Sequence, residues 1–498
     1  MTDTLFNHPF VLAVVVGLPL LGIVARIFKQ SFAKIAKWYC YAAVFAVVVV
    51  MDSIFFPFIG GKDWFFRFAV ELGIISFLLW WAFEAKDGEV KQILVSMARS
   101  PLFIAASIFV LMVTLASVFA YDFHAAFWSN YERGEGAFQM LHYYGFFILL
   151  SFLFKKEDDW RNLFKFSLIA AGVMIIYGLF GNFGAQGFIG PYSGGTMSAG
   201  FWQTLTSGRF QGSLGNPAYV APYLIFAVFF AAYLLIARDG TQKIKSKVRI
   251  YCYAALIVVF LFFFILSQTR GAFIGLGAGV LALLVYLAFS PSATLKKWSL
   301  VVLAILIVCG GAAFLLRNAS FVQKSPEGRL LQLSFSDTTA QTRFWVWGSA
   351  WKGFLERPIL GWGSENFTAV YDKYFNPRFF TPGVQGETWF DRAHSVFFDY
   401  LSETGILGLL AYVGMFAAFY YEFFRRRGNA VPQNGSKDAK SIAHSLERGL
   451  MFAVPIAYLV QGIAIFDVLP MYLCLFVFLA FAHYYFSVNN KQMGHESR

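Results

Sequence analysis

Several arginines and one histidine in this sequence have the side chains needed to bind and activate an anionic group. Arg209 and Arg270 each adjoin a long apolar run, whereas Arg343, Arg392 and His394 lie in one long polar stretch. A guanidinium recognises phosphate oxygens in a planar, bidentate manner. A histidine near them can accept a proton from a hydroxyl at neutral pH. Together these residue types predict a site for a diphosphate headgroup beside a general base.

Arg270 lies between two apolar runs, in Ser-Gln-Thr-Arg-Gly at 267–271. An arginine this close to hydrocarbon is costly unless it has an anionic partner, although it could also snorkel to lipid headgroups. The next helix carries four small residues that would let a neighbouring helix approach closely: Gly271, Gly275, Gly277 and Gly279. We therefore interpret Arg270 as fixed in a packed wall and functional. Arg209 gives a weaker signal, because the Asn216-Pro217 pair that follows it is explained by a turn that starts a helix.

The stretch Phe-Asp-Arg-Ala-His at 390–394 joins the polar stretch to the next apolar run. Asp391 is expected to orient His394, and Arg392 is expected to disfavour the protonated ring. The alternative is that His394 is a structural histidine bonded to Asp391.

The composition indicates that membrane-spanning helices must position these residues. The chain has 498 residues, of which 58% are hydrophobic and 14% charged, against about 25% charged in a soluble protein. Repeated apolar runs of membrane-spanning length predict an all-α polytopic membrane protein. A barrel would show alternating polar and apolar residues. We expect one integral membrane domain over 1–498.

Thirteen apolar runs predict about 12–13 transmembrane helices, near 9–28, 39–58, 64–83, 101–121, 137–154, 164–184, 217–237, 249–267, 271–290, 298–316, 396–424, 449–467 and 469–488. The net charge of +12 gathers in alternate short loops, which fits cytoplasmic loops better than a nucleic-acid partner. This pattern places the N-terminus outside and the C-terminus inside. It makes 317–395 one large periplasmic loop. In this loop 338–356 reads as a helix, because Asp337 can cap its start, aromatic residues recur at helical spacing and Pro358 ends it; the aromatic residues are Phe344, Trp347, Trp351 and Phe354. Residues 366–375 read as a second short helix.

Metal and nucleotide chemistry have no signature in the sequence. Asp391 and His394 are three residues apart, but no further cluster gives metal-ligand spacing. No glycine-rich phosphate loop with a lysine occurs. The four cysteines lie inside apolar runs and read as packing residues. We therefore expect no cofactor.

Four motifs, in this order, resemble the O-antigen ligase and polymerase superfamily, which includes O-linked protein oligosaccharyltransferases. The motifs are Arg209 with Gly215-Asn216-Pro217-Ala218; Ser267-Gln268-Thr269-Arg270-Gly271-Ala272; Arg343 and Trp347 with Arg357-Pro358-Ile359-Leu360-Gly361-Trp362-Gly363 and Asn366-Phe367; and Phe390-Asp391-Arg392-Ala393-His394 with Leu401 and Glu403-Thr404-Gly405-Ile406-Leu407-Gly408. The resemblance covers about residues 200–425. One departure is Ser395, where family members commonly have asparagine.

The resemblance implies a GT-C-like, membrane-embedded glycosyltransferase in the bacterial inner membrane. Its donor would be a glycan on undecaprenyl diphosphate, and its reaction would need neither metal nor nucleotide. The essential arginines of the family map onto Arg270 and Arg343 and its loop histidine onto His394, with Arg209, Arg392 and Asp391 as predicted substrate-binding residues.

The acceptor stays open at this point. It could be a lipid A–core sugar, a growing glycan or a protein hydroxyl, and the ligase reading is preferred. A transporter of a lipid-linked or anionic solute is an alternative from another class. Such transporters place their sites at the midplane between repeated halves, whereas here no repeat is visible and the polar residues gather towards one face.

Overall fold

The computed structural model describes residues 9–51, 54, 56–130, 133–180, 209–237, 245–317, 319, 338–380, 388–425 and 439–496. Within these ranges every regular element is a helix and there is no strand. The predicted all-α, polytopic membrane architecture is confirmed. Residues 181–208, which precede Arg209, and part of the 317–395 loop lie outside the described residues.

The described α-helices are numbered here in chain order. They are α1 Pro9–Ile27, α2 Phe32–Ala43, α3 Gly60–Phe83, α4 Glu89–Ala98, α5 Pro101–Val118, α6 Phe123–Trp128, α7 Ala137–Leu153, α8 Glu157–Phe180, α9 Pro217–Ile236, α10 Lys245–Leu266, α11 Arg270–Ala288, α12 Ala293–Leu316, α13 Thr338–Glu356, α14 Phe367–Lys373, α15 Val396–Glu403, α16 Gly405–Arg425, α17 Ala439–Gly462 and α18 Leu469–Glu496.

Nine helices of the described chain are long and apolar enough to cross a membrane: α3, α5, α8, α9, α10, α11, α12, α16 and α18. Two shorter apolar helices, α1 and α7, accompany them. The buried fraction of each helix shows which helices lie at the centre of the bundle and which lie at its edge. The membrane-length window of α18 is 94% buried, whereas that of α12 is only 6% buried. The last helix therefore forms the core around which the others pack.

Two of the thirteen predicted spans, 9–28 and 137–154, correspond to the shorter apolar helices α1 and α7. Three others differ further from the helices observed. The run 39–58 starts in α2, continues as a 3-10 helix over Val44–Val48 and turns extended at Val49, whose carbonyl accepts a hydrogen bond from the Lys62 ammonium. The run 449–467 falls in α17, which ends at Gly462 and is not among the nine spans. The third, 396–424, is not one helix.

The chain breaks that third run into α15 and α16 at Thr404 and Gly405. Gly405 has a φ of 65°, and a Cβ there would lie 2.4 Å from the carbonyl oxygen of Ile359. Only glycine fits both the left-handed backbone and the close approach. The Thr404 hydroxyl donates to the Tyr400 carbonyl at 2.7 Å and helps to close the last turn of α15.

The segments predicted to be periplasmic meet at one end of the helices. The Tyr121 amide donates to the Trp362 carbonyl at 2.8 Å, the Phe210 amide to the Leu266 carbonyl at 3.0 Å and the Val396 amide to the Ile465 carbonyl at 3.0 Å. We call this end the polar end. It carries all the residues predicted to do chemistry.

The 317–395 loop contains a small folded unit at the polar end. Its helix α13 spans Thr338–Glu356, as the sequence predicts, and the second short helix appears as α14, Phe367–Lys373. An apolar cluster that includes Val346, Tyr371 and Phe390 holds the two helices together. Asp337, the predicted N-cap of α13, lies outside the described residues.

Candidate active site

The turn before α11 is contacted by one predicted arginine, Arg209, and leads into another, Arg270. Thr269 precedes Arg270 and donates from its hydroxyl to the Pro217 carbonyl at 3.1 Å. Arg209, which is exposed, donates from Nε to the Ser267 carbonyl at 3.3 Å. The turn thus joins the start of α9, the end of α10 and the start of α11, with Arg209 and the half-buried Arg270 on it.

Small residues press α11 against α17, as predicted. A Cβ on Gly275 would lie 2.7 Å from the Ala457 carbonyl oxygen, and one on Gly279 would lie 2.7 Å from the Ala457 Cβ. Gly277 was included in that prediction wrongly. It faces open space, because it lies two residues away from the i, i+4 row that contacts α17. The tight packing holds Arg270 at the polar end of a fixed helix.

Arg343, near the start of α13, lies within the electrostatic reach of Arg270. Burial lowers the pKa of Arg343, and the positive charge of Arg270 lowers this pKa further. Two guanidinium groups that disfavour each other's charge are stabilised by an anion between them. The pair therefore has the electrostatics of an anion-binding site.

His394 is held in an unusual backbone conformation between two aromatic rings. Its φ is 56°, in the left-handed region that non-glycine residues seldom adopt. Its ring meets the Phe390 ring edge to face at 5.4 Å and the Phe466 ring at 5.1 Å. Strain of this kind persists only where the surroundings over-determine it, and it clusters at functional sites.

The ring of His394 is neutral. Burial lowers its pKa to about 4; the hydrogen bond to the Arg392 carbonyl acts in the opposite direction, and the charge of Arg343 lowers the pKa again. That hydrogen bond runs from Nδ1 at 3.2 Å. Since a carbonyl only accepts, Nδ1 carries the proton and Nε2 carries the lone pair. A neutral ring was expected, but the charges that lower the His394 pKa come from Arg343 and Arg133, whereas Arg392 acts through its carbonyl, which raises this pKa.

Both polar groups of Ala393, the residue before His394, are fixed by side chains. The Trp347 indole N–H donates to the Ala393 carbonyl at 3.0 Å, and the Ala393 amide donates to the Asp399 carboxylate at 2.6 Å. Burial raises the pKa of Asp399 to about 7. These contacts, from α13 and α15, determine the backbone that presents the histidine.

We predicted that Asp391 orients His394, and this was wrong, because the structure shows no hydrogen bond between the two side chains. The two Asp391 oxygens instead accept from Arg133, through Nε and, at 2.9 Å, through a terminal nitrogen. Burial raises the pKa of Asp391, but the hydrogen bonds and charge of Arg133 more than offset this and leave it lowered. Arg133 also lies over the Phe466 ring, 4.9 Å from its centroid. Phe466 therefore links this ion pair to His394.

Arg392 is clamped between two buried carboxylates. One terminal nitrogen meets Glu365, and the other donates to both Glu403 oxygens at 2.9 and 3.0 Å. The Arg392 side chain is only 7% exposed. Removing one member of a buried ion pair costs about 3–5 kcal/mol. This geometry favours a bracing role, and substrate binding by Arg392 and Asp391 stays a prediction.

A small cavity opens beside this ion-pair layer. Arg133, Glu135, Tyr219 and Asp63 line it together with apolar side chains from the 58–59 and 468–470 segments. Tyr143 donates to Glu135 at 3.0 Å. Among the described residues, no group of three or more His, Cys, Asp or Glu side chains could hold a metal ion.

The structure thus brings Arg209, Arg270, Arg343 and His394 to one end of the bundle and ties Asp391 and Arg392 into ion pairs. The sequence did not reveal the parts played by Trp347, Asp399, Arg133 and Phe466. Arg133 and Asp391 are 258 residues apart, and no local pattern joins them. Asp399 alone carried a signal, as a carboxylate in the first turn of an apolar helix.

This arrangement defines a class: a multi-pass helical membrane protein with an arginine-rich polar site at one end. Residues 254–413 match the family profile described as O-Antigen ligase. This match supports the O-antigen ligase superfamily, as the motifs indicated. The matched segment contains Arg270, Arg343 and His394 and supports a glycosyltransferase of the ligase and polymerase type. No curated protein matches the chain significantly.

Proposed function

We propose that this protein transfers a glycan from undecaprenyl diphosphate to an acceptor hydroxyl at the periplasmic face of the bacterial inner membrane. The observation that carries the proposal is the meeting of Arg270, Arg343 and His394 at the polar end, inside the family domain. The reaction class of the family implies no metal or nucleotide. We propose the ligase type, with a lipid A–core sugar as acceptor in lipopolysaccharide biosynthesis of the cell envelope.

The leaving group determines what the arginines do. The bond between the anomeric carbon and the diphosphate oxygen breaks, and its electron pair stays on the diphosphate. Arg270 and Arg343 stabilise the charge that grows there. Because diphosphate is already a good leaving group, no strong general acid is required. The like charges of the two arginines destabilise the empty site, so the anion gains from binding both.

The acceptor determines what His394 does. Its hydroxyl oxygen attacks the anomeric carbon from the side opposite the diphosphate, which inverts that centre. The hydroxyl proton passes to Nε2 of His394, which holds the lone pair and forms no hydrogen bond with any described residue. The neutral ring is the form that a general base needs.

A transfer assay with purified protein and lipid-linked glycan tests the proposal. Arg270→Ala and Arg343→Ala should each abolish transfer in protein that still inserts, and lysine should rescue only in part because it cannot bind in a bidentate manner. Arg378→Ala, at an exposed arginine of the same loop, is the matched control. Transfer that survives in both alanine variants contradicts the diphosphate site.

An acceptor panel separates the forms of the activity. Lipid A–core, a growing glycan and a serine- or threonine-containing peptide are offered with the same donor. Transfer to lipid A–core alone is the expected result. Preference for a glycan or a peptide would make the protein a polymerase or a protein oligosaccharyltransferase. Movement of the donor across liposomes without transfer would favour the transporter alternative.

A further inference from the structure

An acidic side chain lies on the outer surface of the bundle at the depth of the membrane centre. Glu71 is in the middle of the 24 residues of α3, so it lies about 17 Å from either end of this membrane-length helix. Its side chain is 48% exposed. Ionisable residues within membrane spans almost always face the interior of a bundle or a water-filled cavity. The position of Glu71 therefore indicates a polar partner outside the bundle.

The protein itself provides a hydrogen bond to one of the two Glu71 oxygens. Nε2 of His142, on α7, lies 3.1 Å from Oε1 of Glu71, and Nδ1 of the same ring lies 2.8 Å from the Phe138 carbonyl. Since a carbonyl only accepts, Nδ1 carries one proton, and Nε2 and Oε1 share a second one. Oε2 of Glu71 forms no hydrogen bond with any described residue. This oxygen can accept from a donor outside the bundle.

A hydrogen-bond donor lies one helical turn from Glu71 on the same side of α3. Arg67, which is half-buried, donates from Nε to Gln139 and from one terminal nitrogen to the Gly134 carbonyl at 3.0 Å. Its other terminal nitrogen forms no hydrogen bond with the described residues, and Arg67 forms no ion pair with Glu71 of its own chain. The outer side of α3 thus carries one available donor and one available acceptor, a turn apart.

The side chains around Glu71 form an apolar stripe with the spacing of a helix–helix seam. Ile75 and Leu78 are 53% and 49% exposed, and towards the polar end the half-buried Trp64 stacks on Phe68 at 5.8 Å. Positions 64, 68, 71, 75 and 78 alternate steps of four and three residues, and at 100° per residue they lie within about 80° of one another. A single polar residue in such a seam fixes the register of the two helices. We define the α3 face as Trp64, Arg67, Phe68, Glu71, Ile75 and Leu78.

We propose that the α3 face packs against the α3 face of a second copy of this chain, so that the protein forms a two-fold dimer in the membrane. When the two-fold axis is perpendicular to the membrane, both copies of a residue lie at the same depth, and every contact occurs twice. At the separation of packed helices, about 8–10 Å, the free nitrogen of Arg67 in each copy reaches Oε2 of Glu71 in the other. Two reciprocal hydrogen bonds then satisfy the donor and the acceptor of both faces.

The charges of the α3 face are complementary to themselves, which favours a second copy over other occupants. A partner helix with a single cation would satisfy Glu71 but repel Arg67, and lipid tails would satisfy neither side chain. Hydrogen bonds between polar side chains stabilise helix pairs inside a bilayer. The inference does not depend on the proposed function, because it concerns only the outer surface of α3.

Cysteine cross-linking in a cysteine-free background locates the interface. Ile75→Cys should give a disulfide-linked dimer of the full chain on mild oxidation in the membrane. The matched control is Ile305→Cys, which lies in the middle of α12 and is 54% exposed, against 53% for Ile75; it should give no dimer. Equal cross-linking at both positions, no cross-linking at position 75, or a cross-link from position 75 to a different protein overturns the proposal.

Exchanging the charges separates a lost contact from a lost fold. Subunits are counted by single-molecule photobleaching of labelled protein in liposomes, where Glu71→Leu should weaken the dimer at least about tenfold, because both hydrogen bonds are lost.

Glu71→Arg brings two cations together across the interface, and Arg67→Glu brings two anions together, so neither variant should dimerise alone. A mixture of the two variants has one native and one exchanged pair, and mixed dimers should therefore form. The proposal is overturned if no mixed dimers appear, if Glu71→Leu dimerises like the wild type, or if the wild type stays monomeric at every protein density.

Discussion

His394 combines three properties that a general base at this site requires. Its ring is neutral, its lone pair is on the nitrogen that forms no hydrogen bond with the described residues, and its backbone is held in a strained conformation. The substitution His394→Gln separates proton transfer from hydrogen bonding, because glutamine can bond to the acceptor but cannot take its proton. Transfer should fall by about 10²–10⁴-fold, the usual size of general-base catalysis.

Donor binding by the Gln variant should remain near normal, since both arginines are intact. The measurements are single-turnover transfer at saturating donor and a separate binding titration. If the Gln variant transfers glycan at a near-normal rate, His394 is only a positioning residue.

The pH profile should reflect the depressed pKa of His394. Protonation inactivates a base, and the pKa of the free enzyme lies at about 4, so kcat/KM should stay high as pH falls and decline only near pH 4–5. Bound diphosphate adds negative charge beside the ring and raises its pKa, so the acid limb of kcat should lie at higher pH than that of kcat/KM. An acid limb in kcat/KM at the ordinary histidine value of about 6.5 would contradict this account.

The sequence singles out the candidate site residues, but it does not reveal which side chains they contact in the fold. Arg270 can be recognised as a candidate because an arginine at a membrane boundary is energetically costly unless it has an anionic partner. Asp391 was assigned to His394 because the two are close in sequence. In the fold the carboxylate faces Arg133, which reaches it from a loop 258 residues earlier.

At the scale of elements, α13 contacts the backbone beside His394 and also carries Arg343, which we propose binds the diphosphate. Trp347 stacks on Phe398 at 5.0 Å and donates its indole N–H to the Ala393 carbonyl. Trp347→Phe keeps a ring on Phe398 and removes only the donor. A hydrogen bond of this kind contributes about 0.5–1.5 kcal/mol, so kcat should fall about 3- to 10-fold.

The donor KM should not change in Trp347→Phe, because Arg343 is untouched. Trp345→Phe is the matched control: Trp345 packs against Phe379 at 5.2 Å in the loop core. Thermal unfolding of both variants measures any general loss of structure. A parallel loss of activity and stability in the two variants would argue against a positioning role for Trp347.

Elements with a strong local pattern were predicted well. The aromatic spacing and Pro358 gave α13 its correct bounds, because those signals act within one turn of the chain. The break between α15 and α16 was missed because the run looks apolar throughout. Its cause is the Ile359 carbonyl, 46 residues earlier in the chain, which leaves no room for a side chain at Gly405.

For the molecule as a whole, the prediction that can be tested first is its orientation. Alternating basic loops place the polar end outside and the 425–448 segment in the cytoplasm. In a cysteine-free background, Gln341→Cys, at an exposed position of α13, should react with an impermeant reagent in intact cells. Lys440→Cys should react only after the membrane is opened. Labelling at position 440 in intact cells would reverse the orientation.

The contact of Phe466 with both His394 and Arg133 has a consequence for biosynthesis. Phe466 precedes α18, the helix at the centre of the bundle, and Ile465 beside it accepts the first amide of α15. The ribosome makes this segment long after Arg270, Arg343 and His394. A nascent chain therefore carries Arg270, Arg343 and His394 before it has the Phe466 ring that contacts His394. We expect the proposed transfer to begin only after the last helix has inserted, and we expect partly inserted chains to bind donor lipid without consuming it.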